Sequence, residues 1–327
     1  MWAHMRAAAA ALVATVLAAA IAPAGAQPYP SRTVHVIVAY APGGTGDFVA
    51  RLIAGKLSGA LGQSVVVENR AGASGAIGTQ AVVGAAPDGH MLLLGQTAEV
   101  AINQHWVKGI GYDPERDLAP VALATVVPLA LTVPKAAPHT SVAEMLRAIP
   151  ASGPGLSYAS AGVGTPGHFA AEFLRLKTRS NMTHVPYKGA GPALNDLVAG
   201  HVDLYFPGFP AAMPHVKAGT LKVLAVSSAA RATVAPDVPT VTEAAGIPGF
   251  DFTLWQGFFA PRGTPNEVVA RLNREINAVL ADPETRQKLV EAGANITPLS
   301  VDQFAAFVRA ESAKYAGIIK DAGLKPE

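Results

Sequence analysis

Three times in this chain an apolar run leads through a glycine-bearing loop straight into a helical segment, and this repetition limits the fold more than any other feature. The runs are Val34 to Tyr40 (VHVIVAY), Ser64 to Asn69 (SVVVEN) and Leu156 to Ser160 (LSYAS). The first two, with Met91 to Gly95 (MLLLG), are nearly continuous aliphatic stretches bounded by glycine or polar residues, the pattern of parallel strands buried on both faces. The loops that follow the three runs are Ala41 to Asp47 (APGGTGD), Arg70 to Gly75 (RAGASG) and Ala161 to Gly167 (AGVGTPG). A loop of this kind aims backbone N–H groups at a helix start, where an anion can sit, whether phosphate or carboxylate. One such loop is compatible with a plain turn; three at equivalent positions point to a site made of main-chain donors.

Helical segments at Asp47 to Leu61 and Ala76 to Ala85 complete a βαβαβ series, which calls for an open parallel sheet. A second series has strands near Leu156 to Ser160, Thr183 to Tyr187, Val202 to Phe206 and Leu221 to Ser227. Its helices fall near Pro166 to Lys177, Ala190 to Ala199 and Ala211 to Ala218. Between the two series lies Val121 to Val133 (VALATVVPLALTV). Its central Pro128 lacks a ladder donor and marks a strand that leaves one sheet and enters the other. Phe252 to Ala260 (FTLWQGFFA) is the matching return. The expected architecture is therefore α/β, two lobes with a ligand cleft between them, joined by two crossing strands. Residues 27–129 with 255–327 are expected in lobe 1 and 130–254 in lobe 2. Ligands in open α/β sheets gather at the carboxyl ends of strands, which places a site in the cleft. Capping boxes are expected at Ser141/Glu144, Thr240/Glu243, Thr264/Glu267 and Ser300/Gln303. The last two would open helices near Pro265 to Leu280 and Val301 to Ala322.

Met1 to Ala26 reads as an export signal. Arg6 supplies the positive charge, Ala7 to Ile21 the apolar run and Ala24-Gly25-Ala26 an A-x-A cleavage site, so the mature chain is expected to begin at Gln27. The apolar run is shorter than the roughly 20 residues that cross a bilayer. The absence of cysteine excludes disulfides, thiolate metal sites and a lipid-modified N-terminal cysteine. An exported, unanchored chain is expected in the periplasm, where nucleotides are not generally available. Without Arg6 the chain has 24 basic against 23 acidic residues, no electrostatic footprint for nucleic acid.

Gly162, Gly164 and Gly167 reproduce G-x-G-x-x-G, yet a dinucleotide site needs an acid about 20 positions further on to hold the ribose. No Asp or Glu occurs from Phe173 through Leu194, and Pro166 removes one N–H from the loop. The first loop is not of the G-x-x-x-x-G-K-[ST] type, because Gly55-Lys56 is followed by Leu57. Motifs G-x-S-x-G, S-x-x-K and H-E-x-x-H are absent, and the nine histidines are scattered without metal-ligand spacing. No metal or cofactor is expected. His168, three residues after the expected N-cap Thr165, reads equally as a ligand donor or a structural residue. Asp47 reads equally as a site residue or as a favourable charge in a first helical turn. An exported enzyme acting on a small acid would need His168 with Asp203 or Asp47 as its acid–base pair.

Five blocks in order resemble the Bug family, the periplasmic solute receptors of tripartite tricarboxylate transporters. They are YAPGGTGDFVARLIAGKL (Tyr40 to Leu57), VVVENRAGASGAIGTQAV (Val65 to Val82), SYASAGVGTPGHFAAEFL (Ser157 to Leu174), VPYKGAGPALNDLVAGHVDLYF (Val185 to Phe206) and PDVPTVTEAAGIPGF (Pro236 to Phe250). The resemblance spans essentially the whole chain after Ala26. It implies a type II periplasmic binding protein fold that clamps a small organic carboxylate without catalysis or cofactor. The implied contacts are Tyr40, Ala41, Pro42, Gly43, Gly44, Thr45 and Asp47 in one lobe. In the other they are Ser160, Ala161, Gly162, Gly164, Thr165 and His168, with Asp203 near the site. Implied partners are the membrane permease subunits of a tripartite tricarboxylate transporter, or a sensor kinase that reads the closed form; a monomer is expected. Gly95 to Trp106 and Phe206 to Gly208 fall where family members vary, which leaves the far end of the ligand unassigned.

Overall fold

The computed structural model describes Trp2, residues 29–150 and residues 153–321. Apart from Trp2, Met1 to Ala26, read above as an export signal, lies outside the described residues. Strands β1 (Val34–Val38), β2 (Val65–Asn69), β3 (Met91–Gln96), β4 (Leu118–Pro128) and β10 (Thr253–Pro261) form one sheet in the order β2-β1-β3-β10-β4. Strands β5 (Ala130–Pro134), β6 (Leu156–Ser160), β7 (Met182–Pro186), β8 (Leu204–Tyr205) and β9 (Leu221–Val226) form the second, in the order β7-β6-β8-β5-β9. Pairing is parallel where βαβ units build each sheet: β1 with β2 and β3, β6 with β7 and β8. It is antiparallel where the crossing segments join, at β10 with β3 and β4 and at β5 with β8 and β9. The two α/β lobes read from the sequence are present, with mixed rather than wholly parallel sheets.

Each sheet is covered by helices whose apolar stripes follow helical spacing. On the helix Thr45–Leu61, Val49, Ile53 and Leu57 bury against Val36 and Leu92, joined by Leu272 and Ile276 of the helix Asn266–Ala281. Tyr158, Phe169, Leu174 and Leu204 build the core of the second lobe. Two elements cross between these cores. The C-terminal helix Val301–Asp321 buries Phe304 and Val308 beside Ile37 and Leu93, then Tyr315 and Ile319 beside Phe169 and Leu131 of the other lobe. Ile102 and Trp106 likewise pack into the second core, carried there by the π-helical turn Ala98–Ile102 and the helix Asn103–Trp106.

The outgoing crossing lies at Leu129, between β4 and β5, where Pro128 ends the first ladder. The return differs from expectation, because β10 belongs wholly to the first sheet and its entry is held by a loop residue, Ser227. The Ser227 N–H donates to the Leu129 carbonyl (2.9 Å), the Leu129 N–H to Ser227 Oγ (2.9 Å) and the Phe252 N–H to the Ser227 carbonyl (3.0 Å). Ser227 Oγ in turn donates to the Phe252 carbonyl. One buried serine thus ties both crossings together.

Reciprocal capping boxes close at Thr240/Glu243 and Ser300/Gln303. At Ser141 only the serine half forms, since Glu144 turns to Thr140. The Thr264 box does not form: Pro265 is the N-cap and the Thr264 hydroxyl donates to the Pro261 carbonyl (2.8 Å). The helix Pro283–Glu291, capped by Asp282, was legible as an Asp-Pro start and was missed.

Candidate ligand site

Four helices start at the cleft, each straight after a strand or its loop: Thr45–Leu61, Pro166–Thr178, Ala190–Val198 and Phe209–Lys217. Their N-cap residues are Gly44, Thr165, Gly189 and Gly208, and none makes a side-chain capping bond. Elsewhere Asp113, Ser141, Thr240 and Asp282 cap their helices with side-chain oxygens. First-turn N–H groups have no acceptor within their own helix, so an uncapped start offers donors and partial positive charge to whatever lies in front of it.

In front of these four starts lies a cavity of about 40 Å³. Lobe 1 lines it with Tyr40, Ala41, Gly44 to Asp47 and Gln96; lobe 2 contributes Ala161, Thr165 to Gly167, Ala190, Tyr205, Phe206 and Gly208. No lysine or arginine among the described residues borders it. Thr45 Oγ1 is buried without a partner among the described residues, the condition of a hydroxyl that a ligand would satisfy. A second cavity of about 220 Å³ shares Tyr40 and Ala161 with the first and continues between Gly72 to Gly75 of one lobe and Gly162, Val163 and Pro186 to Lys188 of the other.

The lobes meet backbone to backbone around these spaces. The Ala41 N–H donates to the Lys188 carbonyl (3.0 Å). A Cβ on Gly191 would lie 2.2 Å from the Pro42 carbonyl oxygen, and one on Gly189 2.8 Å from the Ala41 nitrogen, so only glycine allows this approach. On the other side a Cβ on Gly162 would lie 3.0 Å from Ser74 Oγ. The two lobes are in the closed arrangement.

Residues 49–324 match the profile of the tripartite tricarboxylate transporter family receptor, TctC. The chain belongs to this receptor family. BugT of Bordetella pertussis is 35% identical over 305 residues, 93% of each chain. Among solved structures, the R. palustris protein Rpa4515 with adipate is 37% identical with a TM-score of 0.88, covering 91% of this chain and 100% of its own. MatC from Rhodopseudomonas palustris with bound malate is 35% identical, with a TM-score of 0.84 and coverage of 89% and 100%. The periplasmic binding protein BugD is 33% identical, with a TM-score of 0.87 and coverage of 91% and 100%. As a TctC receptor the protein is a solute-binding protein of the periplasmic binding protein fold, and not an enzyme.

The closed receptor brings together Tyr40, Ala41, Gly44, Thr45, Asp47, Ala161 and Thr165 from the sequence reading, and places Gly162 at the second cavity. The others have different positions. Pro42 and Gly43 are exposed, on the outer side of the lobe contact. Asp47 lines the cavity, but its carboxylate is engaged within its own lobe. It accepts from the Gly43 N–H (3.2 Å) and Arg51 Nε (2.9 Å); burial raises its pKa, but Arg51, Gly43 and Asn69 outweigh burial and hold it below the ordinary value. Asp47 therefore fixes the glycine loop.

The G-x-G-x-x-G loop spends much of its donor capacity on itself. The Gly162 N–H donates to Ser160 Oγ (3.1 Å), the Gly164 N–H to His168 Nδ1 (3.2 Å) and the Thr165 N–H to the Gly162 carbonyl (3.3 Å). His168 lies beneath the loop, stacked on His184 with ring centroids 4.2 Å apart. Burial, then the neighbouring His184, pushes its pKa down to about 3, and burial pushes His184 down to about 4. A neutral ring that accepts from Gly164 is a strut, so the expected donation from His168 to a ligand is corrected. Gly164 faces Trp106 and Asn103 instead of the cavity. Asp203 is corrected too: it is exposed, just before the first residue of β8, and takes the N–H and hydroxyl of Ser157 (both 2.7 Å). That is the amino end of the strands, opposite the cleft.

The sequence reading left Gln96 and Gly208 unassigned within the variable segments Gly95 to Trp106 and Phe206 to Gly208, and missed the Gly189-Ala190-Gly191 turn. Gln96 ends β3 at its carboxyl end, and Gly189 opens a fourth strand–loop–helix unit after β7. Both obeyed the rule already used for the other loops.

Proposed function

We propose that this receptor captures a small organic carboxylate, dicarboxylates included, between its lobes and presents the closed form to the permease of a tripartite tricarboxylate transporter. The observation that carries the reading is the convergence of four uncapped helix starts on one enclosed space that no lysine or arginine among the described residues borders. Such a site suits a compact anion held by main-chain donors. A micromolar affinity needs about 8 kcal/mol, and each charge-assisted hydrogen bond contributes about 1.5–3 kcal/mol. Four or five such bonds suffice before association costs. Relatives solved with adipate and with malate support a ligand of this class.

The first cavity has room for roughly three waters, so a chain of four or more carbons would extend past Tyr40 into the second. Because donors come from both lobes, neither half alone satisfies the anion, and closure follows the ligand by its higher affinity for the closed state. Screening mono-, di- and tricarboxylates by thermal shift tests the reading, since a ligand that binds only the folded state raises the melting temperature. If no carboxylate does so while a sugar or a cation does, the assignment is wrong.

A further inference from the structure

Glu99 lies in the π-helical turn Ala98–Ile102 and is fully buried. Its Oε1 accepts from the Gln96 N–H (2.7 Å) and its Oε2 from the Tyr40 hydroxyl (2.9 Å). Both donors belong to residues that line the ligand cavity, and Tyr40 lines the second cavity as well. The strained turn Gly72 to Gly75 closes the third side. Ala73 and Ser74 both have positive φ, and a Cβ on Gly75 would lie 3.1 Å from Glu99 Oε2 and from the Tyr40 hydroxyl alike. The carboxylate thus anchors two cavity walls directly and abuts the third, which Tyr40 also bonds through the Ser74 carbonyl.

The titratable groups on the surrounding elements are engaged elsewhere or are phenols. Tyr40 contacts the carboxylate directly, and Tyr112 donates to the Glu99 carbonyl (2.7 Å). On the C-terminal helix, which packs on the turn, Glu311 takes Trp255 Nε1 (3.1 Å) and Lys314 (3.7 Å), and the Tyr315 hydroxyl donates to the Thr253 carbonyl (3.3 Å). Asp302, Arg309, Lys320 and Asp321 of that helix are exposed. On the short helix Pro114–Asp117, Arg116 pairs with Asp117 (2.7 Å) and Glu115 is exposed; His105 on Asn103–Trp106 meets Ser312 (2.8 Å). Among the described residues no cation influences Glu99. Burial raises its pKa to about 8, against the lowering effect of the Gln96 and Glu99 N–H groups and the Tyr40 hydroxyl.

We propose that Glu99 is a positioning residue of the ligand cleft and takes up a proton when an anion binds. The proposal rests on reading the cavity as the anion site. An anion seated against Tyr40 and Gln96 is one residue away from Glu99 and opposes its ionisation, so binding and protonation favour each other. A solvent proton enters at Oε2, which then donates to the Tyr40 oxygen. The Tyr40 hydroxyl is thereby released to the Ser74 carbonyl, already 3.2 Å away. The carboxyl group changes charge while all three walls keep their partner.

Calorimetric titration with adipate and with malate between pH 7 and 9, in buffers of different ionisation enthalpy, tests this. For the native receptor Kd should rise about five- to tenfold across that range, with net proton uptake at pH 8, as follows if the anion raises the acid's pKa by about one to two units. Glu99→Gln, which keeps an acceptor for the Gln96 N–H, should bind with a Kd that no longer changes with pH. Glu99→Leu should lose affinity at every pH. A pH-independent native Kd without proton uptake, or an unchanged slope in Glu99→Gln, overturns the proposal. If neither acid binds, the ligand class is wrong, and the proton is then read from the ligand-free protein. Urea stability of the native form should fall from pH 6 to pH 9 relative to Glu99→Gln, and parallel curves overturn the proposal.

Discussion

Gly191→Ala is the sharpest probe of lobe closure, because it separates folding from binding. Gly191 is the second residue of the helix Ala190–Val198, where alanine is favoured over glycine by up to about 1 kcal/mol. The isolated lobe therefore tolerates or welcomes the methyl group. In the closed receptor the same methyl would stand 2.2 Å from the Pro42 carbonyl oxygen, a backbone atom that cannot rotate away. Restoring ordinary contact needs the lobes to separate by roughly 1 Å, and overpacking of this kind costs about 1–3 kcal/mol. That movement also strains the Ala41 N–H to Lys188 carbonyl bond beside it. Since 1.4 kcal/mol is tenfold, carboxylate affinity should fall roughly 5- to 150-fold. Calorimetry with a ligand found by thermal shift gives the affinity, and small-angle scattering shows whether ligand still compacts the molecule. The ligand-free melting temperature should stay within a few degrees of the native value. Native affinity in a normally folded variant would refute the argument that binding requires this contact.

Thr45→Val removes the buried hydroxyl that has no protein partner among the described residues, while keeping the shape of the side chain. Ligand-free stability by urea unfolding should stay level or rise by about 1 kcal/mol, and carboxylate affinity should fall; a loss of stability with unchanged affinity would contradict the placement of this group. Asp47 has a folded pKa below its ordinary value, so its stabilisation is present above pH 4 and is lost as pH falls through the lower folded value. Asp47→Asn should flatten that part of the acid unfolding curve, and an unchanged curve would rule out the Arg51 and Gly43 contacts as its cause. His168 and His184 are depressed bases, so the stability linked to their neutral forms is complete above about pH 6.5 and declines as pH falls toward 4 and 3. His168→Gln, which can still accept from Gly164, should lessen the decline between pH 6 and 4 in urea titrations, and an equally steep slope would show that the ring is not the titrating group.

The main strands and long helices, and their order, were legible from local pattern; the short elements Ala98–Ile102, Asn103–Trp106 and Pro114–Asp117 and the helix Pro283–Glu291 were not read. The aliphatic runs at Val34, Val65 and Met91 became parallel strands, Pro128 ended one ladder, and each glycine loop opened a helix. Of the residues implied by the resemblance, Tyr40, Thr45 and Thr165 line the cavity, whereas Pro42, Gly43, Gly164 and His168 of the same loops do not. Gln96 was left unassigned and the Gly189 turn was missed, although both lie at carboxyl ends of strands.

The sequence alone thus determined two α/β lobes and a set of main-chain donors, because strand period, helix period and glycine turns depend on neighbours a few residues apart. Tertiary structure decided which donors are left for a ligand. The Gly164 N–H goes to His168 four residues on, yet that ring is held neutral by burial and by His184, and Asp203 lies at the wrong end of its strand because β8 begins only at Leu204. Glu99 looks like any surface acid in its sequence context. Contact with Tyr40, 59 residues earlier, encloses it and leaves it without a cation among the described residues, and only the packed molecule could reveal that.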